Sequence, residues 1–128
     1  MKALRATRSV FVGLLLALAG VAAQAGPPAS AQREITQLID ALGQSGCEFQ
    51  RNGTWYPAGE AQAHLRRKYE WLLKRDMVAS AEQFIERAGT ESSVSGKPYA
   101  VRCRGQGAAV PSAKWLGTRL STIRHATP

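Results

Sequence analysis

Apolar residues at Ile35, Leu38, Ile39 and Leu42 fall at i, i+3, i+4 and i+7, the spacing of one buried face of a short helix. Gly43 and Gly46 follow and are expected to end it. The period then changes to two: Cys47, Phe49 and Arg51 alternate with Glu48 and Gln50, and Thr54-Trp55-Tyr56 is rich in strand-favouring residues. Between these runs stands Asn52-Gly53, the pair that best tolerates the positive φ a tight hairpin turn needs, so residues 47–57 read as a β-hairpin closed by Pro57. From Glu60 to Arg75 the helical period returns, with Ala61, Leu65, Tyr69 and Leu72 on one face. The opposite side carries His64, Arg67, Lys68, Trp71, Lys74 and Arg75, a basic stripe interrupted by one indole. Ser80-x-x-Gln83 has the form of a capping box ahead of Phe84, Ile85 and Ala88, and Gly89 supplies a stop. "GTESSVSGKP" at 89–98 reads as a loop, and Tyr99, Val101 and Cys103 as the apolar face of a third strand. Ser112 is placed to cap a last helix whose apolar positions are Trp115, Leu116, Leu120 and Ile123. The pattern therefore predicts an α+β domain: a three-stranded antiparallel sheet, made of the hairpin plus one later strand, carrying about four helices on one face.

The first 25 residues follow a different logic. Lys2, Arg5 and Arg8 precede the apolar run Val10–Leu18, and Ala23-Gln24-Ala25 offers a small-x-small cleavage step, the three parts of a secretory signal peptide. The apolar run falls short of the roughly 20 residues that span a bilayer and ends against Gly26-Pro27-Pro28, so cleavage after Ala25 and export to the periplasm are expected, with no transmembrane anchor retained. Residues 26–32 then form a flexible leader and residues 33–125 a single domain. In an oxidising compartment Cys47 and Cys103 are expected to form a disulfide, since a metal site could draw only on His64 and His125 for further soft ligands and no C-x-x-C redox motif is present. Neither a metal nor a cofactor is expected.

Loss of Lys2, Arg5 and Arg8 with the signal peptide lowers the formal charge from +8 to +5, too little for a nucleic-acid binder but enough to steer toward anionic envelope polymers or lipid headgroups. Arg51 beside the turn, His64, Arg67 and Lys68 on the next helix, and Ser93, Ser95 and Lys97 in the loop form a candidate anion-binding set. Against it stands a solvated helix face whose arginines pair with Glu60 and Glu70; Arg66 and Glu70 have the i, i+4 spacing for this. Nucleotide binding is excluded because Gly89 and Gly96 are six residues apart, Lys97 precedes Pro98 and the loop follows a helix, all at odds with a phosphate-binding P-loop. A glycosidase using Glu48 or Glu60 is disfavoured because the helix N-terminus already accounts for Glu60. Asn52-Gly53-Thr54 matches a glycosylation acceptor, but its turn chemistry is the better explanation.

The chain resembles the YfeK-like family of small exported bacterial proteins. The resemblance is carried by C-x-F-x-R-N-G-x-x-Y at Cys47–Tyr56, E-A-x-x-H-L-R-x-K at Glu60–Lys68, A-E-x-F-I at Ala81–Ile85, S-x-S-G-x-P-Y at Ser93–Tyr99 and P-S-x-x-W-L at Pro111–Leu116. It extends from about Ile35 to Arg124 and implies export, but it assigns no catalytic residue. The expectation is a non-enzymatic binding or accessory module for an anionic envelope component or a periplasmic protein partner. The alternative is a small hydrolase pairing His64 with a loop serine.

Overall fold

A computed structural model describes residue 3, residues 9–17 and residues 26–126. The expected cleavage step at 23–25 lies outside the described residues. Within 9–17 there is no helix or strand, and Phe11 and Leu15 are 95% and 96% exposed, so this apolar segment lends nothing to the core. No helix among the described residues is long and apolar enough to cross a membrane.

The order of elements is α1 (Ala29–Gln44), β1 (Glu48–Arg51), β2 (Thr54–Pro57), α2 (Ala58–Lys74), α3 (Ala81–Ala88), β3 (Ala100–Arg102), β4 (Val110–Pro111) and α4 (Ser112–Ala126). Helix α1 starts inside the stretch expected as a leader. Pro28 holds extended backbone at its N-cap, its carbonyl accepts from Gln32 N–H, and Ala31 is buried, so of residues 26–32 only 26–28 lie outside the helix. At its other end α1 runs through Gly43 instead of stopping there. A side chain at Gly43 would collide with that of Gln62 in α2, and Gln62 uses the space to donate to Asp40. Ile35, Leu38, Ile39 and Leu42 are all buried, as their spacing predicts.

The sheet has four strands, not three, in the order β2-β1-β3-β4 with every pair antiparallel. The extra strand escapes a periodicity argument because it has two residues, Val110 and Pro111, pairing with Val101 and Ala100. The hairpin register pairs Arg51 with Thr54 across a turn in which Asn52 and Gly53 have φ of 50° and 80°, the left-handed pair that the sequence calls for. Phe49 and Val101 point into the core beneath α2 and α4, while Glu48, Trp55 and Arg102 occupy the open face, where Arg102 pairs with Glu48 and lies 4.0 Å from the Trp55 ring centre. A disulfide joins Cys47 and Cys103, just outside the paired ends of β1 and β3.

Helix α2 buries Ala61, Leu65, Tyr69 and Leu72, and Tyr69 meets Phe84 of α3 edge-on with ring centres 5.7 Å apart. The α3 cap departs slightly from the reciprocal box. Ser80 Oγ accepts from Gln83 N–H, and Gln83 Oε1 accepts from Ala79 N–H instead of Ser80. In α4, Leu116 and Leu120 are buried, whereas Trp115 and Ile123 are partly covered. Ser112 is the first helical residue, fully buried, its N–H donating to Tyr99 C=O and its Oγ having no hydrogen-bond partner among the described residues, so it fastens the start of α4 to the residue before β3 and does not cap. The arginine-pairing expectation also changes: Arg66 pairs with Asp40 of α1, not with Glu70.

Candidate functional site

Arg51 is the last residue of β1 and projects from the same sheet face as Phe49, toward α2. There its Nη1 lies 2.8 Å from His64 Nδ1, and its guanidinium sits 5.1 Å from the Tyr56 ring centre. Arginine can only donate, so Nδ1 must be the acceptor and the imidazole proton must reside on Nε2. Nε2 is 3.1 Å from Tyr99 Oη and therefore donates to it. Lys68, one turn along α2 from His64, donates to the same phenol oxygen at 3.2 Å and to Glu91 C=O at 3.1 Å. Tyr99 Oη thus receives two donors, and the hydrogen bonds among the described residues give its own O–H no acceptor. The Tyr99 ring itself is buried, 4.9 Å centre to centre from Phe49, which fixes the hydroxyl at the wall between α2 and the 89–98 loop.

These groups line a cleft of about 630 Å³. Its cations are Arg51, Arg67, Lys68 and Arg87, and no aspartate or glutamate is among the lining residues. Trp71, Leu72, Val94 and Tyr99 supply apolar surface, and Asn52, Ser92 and Ser93 supply polar atoms. A smaller hollow of about 280 Å³ shares Arg51, His64 and Arg67 as its boundary with the first and continues toward Tyr56 and Glu60. Arg51, Arg67 and Lys68 form no ion pair with a carboxylate among the described residues. The charged groups lining the cleft are therefore all cations, and its chemical complement is an acceptor carrying negative charge.

The loop wall is ordered by its own hydrogen bonds. Ser92 N–H donates to Lys97 C=O, Gly96 N–H to Ser92 C=O, and the buried Ser92 Oγ accepts from Val94 N–H and Ser95 N–H. Ser95 Oγ accepts from Lys97 N–H and donates to Asn52 Oδ1, tying the loop to the hairpin turn. Of the seven candidate residues, Arg51, His64, Arg67, Lys68 and Ser93 line the cleft, whereas Ser95 and Lys97 do not. Sequence reasoning passed over Tyr99, Tyr56, Ser92, Asn52 and Arg87. The available signal was that Asn52, Tyr56 and Tyr99 fall within the segments that carry the family resemblance, alongside Arg51, His64 and Lys68.

Burial, and after it the crowding of positive charge, perturbs the titratable groups. Burial first, then Arg51, Lys68 and Arg67, depress His64 from 6.5 to about 4. Burial, then Arg51, also lowers Lys68, with Glu91 opposing, and burial raises Tyr99. At neutral pH His64 is thus an uncharged relay between Arg51 and Tyr99. Both ring nitrogens are engaged, so neither is left to take a proton from Ser93 or Ser95, as a Ser-His nucleophile would require. The depressed His64 makes stability pH-dependent. Between pH 6.5 and 4 the unfolded chain carries a proton at this position that the folded protein refuses, so stability is full above 6.5 and declines as pH falls toward 4. Discounted for a half-exposed group, the loss should be about 1–2 kcal/mol. Urea unfolding from pH 7 to 4 should show it as the excess over the loss in His64→Gln, whose amide keeps both hydrogen bonds without titrating; equal losses in the two proteins would contradict it.

Comparison with known proteins agrees with the segments that carry the resemblance. Residues 29–124, α1 through nearly all of α4, match a family described as of unknown function, DUF5329. The chain is 38% identical over 89 residues to "Uncharacterized protein YfeK" of Salmonella typhimurium, covering 69% of this chain and 70% of that protein. No solved structure matches the chain. The chain belongs to the DUF5329 family of unknown function, with the Salmonella YfeK protein among its relatives.

Proposed function

We propose that this protein is a periplasmic, non-enzymatic binding module that holds an anionic group of a cell-envelope component in the cleft between α2 and the 89–98 loop. The observation that carries the reading is the composition of the site: four cations, an imidazole whose two nitrogens are taken by Arg51 and Tyr99, and a phenol whose oxygen already accepts two hydrogen bonds, with no carboxylate lining the cleft. Such a concentration of like charge and unspent donors is unfavourable unless an acceptor repays it. The volume, about 630 Å³, suits a small phosphorylated or carboxylated group. The engagement of both His64 nitrogens favours binding over Ser-His hydrolysis. The basic-then-apolar N-terminal pattern and the Cys47–Cys103 bond support an exported, oxidising location.

Calorimetry with glycerol 3-phosphate tests this. Binding is expected at low ionic strength and should weaken several-fold as salt approaches about 0.5 M, where screening is nearly complete beyond a few ångströms. Absence of binding, or an affinity indifferent to salt, would overturn the anion reading. Protein recovered from the producing cell's periplasm should begin at Gly26 and contain no titratable thiol; a mature protein that still carries residues 1–25 would overturn export with cleavage.

A further inference from the structure

The exposed large hydrophobic side chains of residues 26–126 are Trp71, Met77 and Val94, exposed by 50%, 38% and 95%. They are not scattered. Trp71 on α2 and Val94 at the loop tip stand on the two walls of the cationic cleft, and Met77 lies in the turn after α2, where its C=O accepts from cleft-lining Arg87. Val94 is the lone large apolar residue in an otherwise small and polar loop, and it is presented by an ordered turn because Ser92 Oγ accepts its N–H. The Trp71 ring is covered on one side by the Arg75 guanidinium, 3.8 Å from its centre. A soluble anion would engage the cations but would give this apolar rim nothing to touch. A bilayer surface answers both, because phosphate headgroups lie just above acyl chains and tryptophan and arginine favour that boundary.

Resting on the reading of the cleft as an anion site, we propose that its anion is the phosphate of an anionic phospholipid, and that the protein docks on the membrane surface with Trp71, Val94 and Met77 dipping into the headgroup region. The charged and titratable groups facing that phosphate are Arg51 of β1, His64, Arg67 and Lys68 of α2, Arg87 of α3 and Tyr99, with Glu91 behind Lys68, so the local field is strongly positive. Each such cation near an anionic leaflet strengthens partitioning by about five-fold.

Co-sedimentation with vesicles tests the proposal. Partitioning onto phosphatidylglycerol vesicles should exceed that onto phosphatidylcholine vesicles by at least about 25-fold, as two engaged cations would give. The double substitution Val94→Ser with Met77→Ser, at exposed positions that carry no core packing, should lower phosphatidylglycerol partitioning by about tenfold through lost apolar insertion. Binding of glycerol 3-phosphate without binding of phosphatidylglycerol vesicles would overturn the lipid proposal and leave the anion cleft standing. Failure with both probes would overturn both. Equal partitioning onto the two vesicle types, or vesicle binding indifferent to Val94→Ser with Met77→Ser, would overturn the docking geometry.

Discussion

Replacing Cys47 and Cys103 together by alanine should destabilise the domain by about 4 kcal/mol, the chain-entropy value for a cross-link spanning 56 positions. For a domain of this size that is a fall in melting temperature of roughly 15–30 °C, readable by circular dichroism. Alanine is the suitable replacement because Cys47 is buried and a serine hydroxyl there would add a cost of its own. The effect is large because the bond closes a long loop, 56 positions from end to end. It ties the strand that follows α1 to the strand that precedes β4 and α4, so without it β1 and β3 must pair unaided through three residues each. The reduced wild-type protein should melt within a few degrees of the double-alanine variant. A wild-type protein whose melting ignores reductant would show that the sheet needs no such brace.

The second large effect concerns the cleft. Arg51→Gln with Lys68→Gln should weaken glycerol 3-phosphate binding by about 100-fold or more, since charge-assisted hydrogen bonds contribute roughly 1.5–3 kcal/mol each. The same variant should keep or slightly raise its stability, because it relieves repulsion among Arg51, Arg67 and Lys68, whose charges add to burial in lowering His64 to about 4. These two readouts move in opposite directions only for a binding site. If the cluster were structural, cutting it would lower the melting temperature and leave any anion affinity where it was.

The parts of the fold that were legible are those with local signals. The α1 and α2 stripes follow the helical period, and Asn52-Gly53 dictates its turn whatever lies around it. Strand β4 was not legible because a two-residue strand after a glycine-rich stretch has no period; only its pairing with Ala100 and Val101 defines it. The boundary of α1 was hidden for a related reason, since nothing local distinguishes Ala29-Ser30-Ala31 in a leader from the same residues wound against a core. The basic half of the cleft could be read as a stripe on α2. Tyr99 could not, because it was counted as an apolar strand position. Its ring is indeed buried, yet its hydroxyl reaches His64 and Lys68, residues 35 and 31 positions away, and joins the two halves of the site. In the loop, neighbours diverge. Ser93 faces the cleft while Ser95 turns to Asn52, a distinction set by the hydrogen bonds of Ser92.

The central claim is that an anion completes the donor cluster around Tyr99, and His64 sits where it can report this directly. An NMR titration of the His64 ring protons should give a midpoint near 4 for the protein alone. Saturating glycerol 3-phosphate should move that midpoint upward, because a negative charge beside Arg51 and Lys68 offsets the field that disfavours the imidazolium. A midpoint unmoved by glycerol 3-phosphate, with the His64 resonances unshifted, would contradict the account.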